Sequence, residues 1–429
     1  MCAETDPPAA GETDPSTAAG LDTTVTIVGG GVHGVHIAVR LLQMEVVQPH
    51  ELRIVDPDGL LDALRRKCRQ CGMESFRSPH VHHVDADPFS LRTFARAHGR
   101  EDELRESAGG GDRPTVPLFF DHADRVCTEY DLDRRHVTAR VTAVDPRDST
   151  VEVTTTRGRF STDWCILAVG HGSAFTEPTW MNDRSSDAIS HVWERSFDPA
   201  AIDTGAAVGV VGGGVTAAQL ATTLATPAGR TVTLFARSPF DVAVREADTE
   251  WMHASSVADR LGEHPPGSRT RAALVADARR DGSIPPHVFS RLERALDHGS
   301  VVLERSPLDA VTNAGGTAVV TCANGCAYCL HALVCATGYD SPYRAEPLRS
   351  VADRPTLRTG YDGAPRLDDD TLRWVRTDGT RSRVAVSGAA ARQTLGPLAG
   401  NIVGARHAAV RIAAGLASAL DADTRGHPD

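Results

Sequence analysis

The stretch Val25-Thr26-Ile27-Val28-Gly29-Gly30-Gly31-Val32-His33-Gly34-Val35-His36-Ile37-Ala38-Val39 decides the fold. β-Branched residues lead into three glycines and then into apolar residues at helical spacing, which predicts a buried strand, a tight turn and a helix. The spacing Gly29-x-Gly31-x-x-Gly34 needs a missing side chain three times: in the turn, where backbone meets a pyrophosphate, and where helix crosses strand. The helix would aim its unpaired N–H groups at the phosphates. About twenty residues on, the strand Leu52-Arg53-Ile54-Val55-Asp56 ends in an acid placed to accept from a ribose 2′-OH. Together these predict a dinucleotide site built on Gly29, Gly30, Gly31, Gly34 and Asp56.

Bulk properties bound what the site can belong to. With 429 residues the chain exceeds one ordinary core, so two domains or a domain with an insertion are expected. No apolar run reaches the roughly eighteen residues of a membrane span. Residues 1–22, rich in Ala, Pro, Gly, Thr and acids, lack the charged and apolar regions of a signal peptide and read as a disordered tail on a cytoplasmic protein. The net charge of −11 argues against nucleic acid as a partner. Lys67 is the only lysine beside an otherwise all-arginine basic set; that bias fits either a GC-rich genome or, with the Asp excess, a salt-adapted cytoplasm. Nine cysteines, an odd number, argue for reduced thiols rather than a disulfide framework.

Further along, Leu60 to Gln70 has helical spacing, and Phe76-Arg77-Ser78-Pro79-His80-Val81-His82-His83 crowds an arginine and three histidines around a helix-breaking proline. These could face a cofactor, a metal or water; no Cys or acid completes a zinc set at standard spacing. Asp87 to Arg105 is expected to be a helix with Leu91, Phe94 and Ala95 on its buried face. From Val116 onward the pattern changes to short alternating runs, Val137–Val144, Val151–Thr156 and Gly158–Asp163, a β-meander. It leads into the buried run Trp164–Gly172, with Gly170 beside a ligand, and then into a linker over 177–203.

The opening element then recurs as Val208-Gly209-Val210-Val211-Gly212-Gly213-Gly214-Val215-Thr216-Ala217, with Ala217 in the third glycine's place. The strand after it, Thr231–Ala236, ends in Arg237-Ser238 instead of an acid. A guanidinium grips a 2′-phosphate that a carboxylate would repel, which favours NADPH over NADH; stacking on an adenine is the other reading of Arg237. After a partly helical insert, Pro239 to Gly299, a hairpin turns at Asn324-Gly325 and runs to Cys335-Ala336-Thr337-Gly338-Tyr339. Cys322, Cys326, Cys329 and His331 lie there, and small strand residues explain them better than zinc ligands. A strand at Val384–Ala389, the loop Leu395-Gly396-Pro397-Leu398-Ala399-Gly400-Asn401 and a helix from Ile402 to Leu420 close the chain.

Two such units in series, a meander between them, Ala336-Thr337-Gly338-Tyr339 and the Gly396-Pro397 loop resemble the two-dinucleotide-binding-domain flavoproteins. Phe76-Arg77-Ser78-Pro79 with His82-His83, and Gly396 to Asn401, look most like the lysine and ornithine N-hydroxylases and their relatives. The resemblance implies an α/β fold of two Rossmann-like domains: a FAD domain (23–200 and 341–429) with an NAD(P)H domain (201–340) inserted. It implies FAD at the first site, with Gly170, Gly338, Gly396 and Pro397 near it, and NADPH on Gly212, Gly214, Ala217 and Arg237. NADPH would reduce the flavin, and a flavin hydroperoxide formed with dioxygen would oxygenate a small amine, with Arg77 and His80 as candidate catalytic residues. One departure is Gly388-Ala389, where many relatives carry Gly-Asp to hold the ribityl chain. A disulfide reductase using Cys68 and Cys71 is the alternative, although that pair sits on a helix whose Arg65, Arg66, Lys67 and Arg69 mark it as solvated; a FAD-binding protein without turnover is another. Ser190-His191-Val192-Trp193 does not reproduce Baeyer–Villiger spacing.

Overall fold

A computed structural model describes residues 22–172, 175–182, 188–226 and 229–425; the expected N-terminal tail and part of the expected linker lie outside them. The first sheet runs, in spatial order, Arg373–Val375, Arg381–Val386, Gly158–Leu167, Thr23–Val28, Leu52–Asp56, His136–Thr138. From Arg381–Val386 to His136–Thr138 every neighbouring pair is parallel, with Ile27 opposite both Ile54 and Ile166. The strand Thr23–Val28 is thus central and completely buried over Val25–Ile27, as its unbroken β-branched run requires.

The strand Gly158–Leu167 joins two segments read separately in the sequence. Its first half alternates in burial and pairs antiparallel with Val151–Thr155, while Trp164–Leu167 is buried on both faces between parallel neighbours. The predicted run Val137–Val144 divides instead: His136–Thr138 joins the parallel sheet and Val141–Pro146 opens the meander.

The second sheet orders Val301–Glu304, Thr231–Phe235, Ala207–Val211, Ala332–Cys335, Ile189–His191, all parallel. Its last strand lies inside the stretch expected as linker, so the second unit gathers residues from before position 201. Helix Val215–Leu224 covers this sheet with an Ala-rich buried face, Ala217, Ala218 and Ala221 being completely buried. A three-stranded antiparallel sheet, Leu308–Ala314, Thr317–Cys322 and Ala327–Leu330, precedes Ala332–Cys335; His331 marks the break, its N–H bonded to the Ala207 carbonyl.

Two helix readings change. Val116–Glu129 is a 14-residue helix where alternating runs were expected to begin; Thr115 caps it by accepting from the Leu118 N–H, Pro117 sits in its first turn, and Leu118, Phe119, Ala123 and Val126 are buried. The helix expected over Asp87 to Arg105 covers only Ser90–Ala97, because the chain turns at Gly99 with φ +64°. Helix Val32–Gln43 packs along the C-terminal helix Ile402–Arg425, closing the first core.

Candidate functional site between two glycine turns

Each glycine of the first motif does a different job. Gly29 has φ +111°, and a Cβ there would stand 2.4 Å from the Ala168 carbonyl oxygen; at Gly34 it would stand 1.8 Å from the Gly29 oxygen, so helix and strand cross in contact. At Gly31 a Cβ would meet nothing within 4 Å. Gly31 caps the helix without a side-chain hydrogen bond, so the first turn presents bare N–H groups to that open space. Asp56 accepts from the Gly30 N–H at 2.7 Å and from the Asp58 N–H at 2.8 Å, and burial holds its carboxyl above the usual range. Gly170, at φ +64°, lies three residues past the end of the neighbouring strand, and a Cβ there would meet nothing within 4 Å. This cradle fits the pyrophosphate and ribose of a dinucleotide.

The second motif repeats the turn: Gly212 has φ +152°, with the Ala336 oxygen 2.5 Å from where a Cβ would be and the Ala217 Cβ at 3.1 Å, and Gly213 faces open space. It differs at Gly214, which Gly282 approaches closely enough for its carbonyl to accept from the Val215 N–H at 3.1 Å. From here a cavity of about 950 Å³ runs past Arg237 and Ser238 in one direction and past Gly338, Tyr339, His171 and Arg392 to Ala389, Pro397 and Gly400 in the other. One wall is aromatic. Tyr339 stacks on His171 at 4.5 Å and lies parallel to Trp193 at 6.1 Å, and the Lys67 ammonium sits 4.9 Å over the Tyr339 ring. Burial pushes His171 down to about 4, with the charges of Lys67, Arg279 and Arg392 acting in the same direction. His171 is therefore neutral at pH 7.

The predicted site residues fall into three groups. Gly212, Gly214, Arg237, Gly338 and Pro397 line the cavity. Gly29, Gly30, Gly31, Gly34, Asp56 and Gly170 form the first cradle, Ala217 lies completely buried under the second turn, and Gly396, at φ +81°, sets the loop against the Trp251 ring. Arg77 and His80 stand apart from the cavity lining. Arg77 donates to the carbonyls of Ala243, Val244 and Ser283 at 2.7–3.0 Å and lies 3.6 Å from Glu246. His80 is buried against the backbone of Asp112, whose carbonyl accepts its N–H at 2.7 Å. Among the described residues no group of His, Cys, Asp and Glu is arranged to hold a metal.

The helix Asp62–Cys71 corrects the expectation of solvated cysteines. Cys68 and Cys71 are 3% and 4% exposed, and burial pushes both thiols up to about 12. The arginines cover the helix instead of wetting it: Arg65 lies 4.3 Å over the Phe120 ring and pairs with Asp124, and Arg66 pairs with Asp58 at 3.0 Å. Sequence reasoning missed His171, Glu246, Arg279 and Arg392 as cavity residues. A signal existed for His171, which directly follows Gly170 in the glycine-bearing segment after the strand Gly158–Leu167; Glu246 and Arg279 come from the irregular insert and carried none.

The paired glycine turns, each at the C-terminal end of a parallel strand in its own sheet, define a fold of two dinucleotide-binding domains. Residues 26–172 match a FAD-NAD(P)-binding family. Among curated proteins no sequence matches this one. Among solved structures, the ornithine hydroxylase of Pseudomonas aeruginosa superposes with TM-score 0.73 at 14% identity, over 93% of this chain and 100% of that one. The L-lysine 6-monooxygenase of Pseudomonas syringae gives 0.70 at 16%, over 92% and 99%. The bacillithiol disulfide reductase of Staphylococcus aureus gives 0.60 at 15%, over 93% and 99%.

Proposed function

We propose that this chain is a cytoplasmic, NADPH-dependent FAD monooxygenase that hydroxylates the nitrogen of a small amine, R–NH2 + O2 + NADPH + H⁺ giving R–NHOH + NADP⁺ + H2O. The observation that carries the reading is the single cavity that joins the second glycine turn to the Ala389–Gly400 region of the first domain, which gives a nicotinamide nucleotide a path to a flavin. The chemistry FAD supplies when bound is hydride acceptance and activation of dioxygen. The chain's own part is binding, orientation and exclusion of water. Gly29 to Gly34 and Asp56 would hold the FAD pyrophosphate and ribose; Gly212, Gly213 and Arg237 would hold NADPH, with the exposed Arg237 guanidinium on its 2′-phosphate. His171, Tyr339 and Trp193 wall the path. Arg77 serves this site by fixing the segment that carries Glu246, so its role is positioning.

The higher TM-scores of the N-hydroxylating enzymes favour oxygenation, and Cys68 and Cys71, the pair a disulfide reductase would use, are buried with their thiols held above the usual range. The test is NADPH consumption and oxygen uptake by the FAD-loaded protein against a panel of amines, sulfides and disulfides. Amine-dependent oxygen uptake with a hydroxylamine product is expected. Disulfide-dependent NADPH oxidation without oxygen uptake would replace this reading with the reductase.

A further inference from the structure

The hairpin that turns at Asn324-Gly325 carries two cysteines that neither nucleotide site uses. Strand Thr317–Cys322 runs antiparallel to Ala327–Leu330 with Ala318 opposite Leu330, Val320 opposite Tyr328 and Thr321 opposite Ala327, so the next pair is Cys322 and Cys326. The backbone bears this out. The Cys322 N–H donates to the Cys326 carbonyl at 2.9 Å, and the Gly325 N–H donates to the Cys322 carbonyl at 2.8 Å with Gly325 at φ +85°. This is a three-residue loop closed by a glycine bulge, and it leaves its flanking residues facing each other. Faces alternate along a strand, and Ala318, Val320 and Leu330 are buried, so Cys322 and Cys326 share that inner side while Cys329, opposite Val319, points to the other. Opposed residues of such a pair stand about 5.5 Å apart at Cα, inside the roughly 4.4–6.8 Å that a disulfide spans.

The two thiols differ in access. Cys322 is buried and Cys326 is exposed at the end of the loop. Burial pushes the Cys322 thiol up, with Glu304 and Cys326 acting in the same direction, so the exposed partner is the one that meets an oxidant first. The turn between them bears on the cavity. The Ala323 N–H donates to the Pro307 carbonyl at 2.9 Å and the Asn324 N–H donates to Ser306 Oγ at 3.0 Å, and both Ser306 and Pro307 line the cavity. The neighbouring Arg305 donates to the Ser238 carbonyl. The hairpin turn therefore backs onto the end of the cavity where Arg237 and Ser238 stand.

We propose that Cys326 and Cys322 form a peroxide-sensitive pair whose disulfide weakens NADPH binding at the Arg237 end of the cavity. Hydrogen peroxide oxidises the Cys326 thiol, –SH + H2O2 giving –SOH + H2O, and the Cys322 thiol condenses with that sulfenic acid, –SOH + HS– giving –S–S– + H2O. A disulfide draws the two Cβ atoms to about 3.8 Å, closer than the roughly 4.5–5.5 Å of an opposed cross-strand pair, so the turn tightens and shifts its hold on Ser306 and Pro307. The disulfide stands by itself, whereas its effect on NADPH rests on the proposed nucleotide assignment. An oxygenase that turns over without substrate makes the peroxide itself, NADPH + H⁺ + O2 giving NADP⁺ + H2O2, so the pair would throttle the enzyme's own unproductive reaction.

The test treats the reduced, FAD-loaded protein with hydrogen peroxide, caps the remaining thiols with a maleimide and maps the peptides by mass. A link between Cys322 and Cys326 is expected, two hydrogens lighter than the dithiol, with Cys329 still capped. NADPH affinity, followed by the fluorescence of NADPH itself, should fall about five- to ten-fold on oxidation and return with dithiothreitol. Cys326→Ser and Cys322→Ala should each keep the affinity of the reduced protein and lose the response, while Cys329→Ser retains it. Cys326→Ser changes an exposed position, so it decides the matter even if Cys322→Ala does not fold. A free Cys322 after peroxide, a link through Cys329, or a Cys322–Cys326 link that leaves NADPH affinity unchanged overturns the proposal. Failure of the NADPH reading looks different: the reduced protein would then bind no NADPH at all, whatever the peptide map shows.

Discussion

Arg77 and Ser283 are 206 positions apart, yet the Arg77 guanidinium reaches both the carbonyl (3.0 Å) and the hydroxyl (3.1 Å) of Ser283. With the Ala243 and Val244 carbonyls and Glu246, this one side chain ties the extended segment after the first domain's second helix to the insert of the second domain. The next residue before Ser283 is Gly282, whose carbonyl meets the second glycine helix. Arg77 therefore sets the position of the nucleotide site without lining it.

Arg77→Lys should lower stability by about 2–3 kcal/mol, because an ammonium cannot supply the planar fork that serves several acceptors at once. FAD binding should survive, and KM for NADPH should rise. Thermal melts and steady-state kinetics check this; an unchanged melting temperature would mean the fork is dispensable.

The glycines of the first motif should fail in different ways. Gly31→Val fills open space, so the protein should fold normally and lose FAD. Gly34→Ala drives a methyl to 1.8 Å from the Gly29 oxygen and should prevent folding altogether. Flavin content and circular dichroism of the two variants separate these outcomes, and a well-folded Gly34→Ala protein would contradict the crossing geometry.

Arg237→Ala should cost on the order of 1–3 kcal/mol in NADPH recognition, roughly a 5- to 150-fold loss in kcat/KM, with NADH nearly unaffected. Equal losses for both nucleotides would point to adenine stacking.

Replacing Cys68 and Cys71 together with serine should leave NADPH-dependent oxygen uptake within a few-fold and lower the melting temperature, since two buried thiols become hydroxyls in apolar surroundings. Alkylation of the native protein should mark the exposed Cys326 and Cys329 and spare Cys68 and Cys71. Abolished turnover in a folded double variant would support the reductase.

The fold should be acid-labile. Burial lowers His36 and His83 to about 3 and His122 to about 4, below the ordinary value of 6.5. The unfolded chain therefore takes up protons first, so stability present above pH 6.5 falls as the pH drops toward 4, by roughly 1.4 kcal/mol per pH unit for each such histidine. Melting temperature against pH measures the slope, which His122→Gln should make shallower. A flat profile between pH 7 and pH 5 would show that these rings are hydrated.

Local chemistry along the chain accounts for one part of the structure. The two glycine turns, the completely buried strand over Val25–Ile27, Asp56 at its strand end and the alternating burial of Gly158–Asp163 follow from side-chain periodicity and from backbone angles that only glycine tolerates, and both are legible over a window of ten residues. Tertiary structure decided the rest. Arg65 and Arg66 look like a solvated face until Phe120, Asp124 and Asp58 cover them, and His33 looks like filler in a glycine motif until Ser387, 354 positions away, fixes one of its nitrogens. Whether a polar side chain meets water, a backbone carbonyl or a ligand depends on which distant element packs against it, and nothing in the residue's own neighbourhood records that.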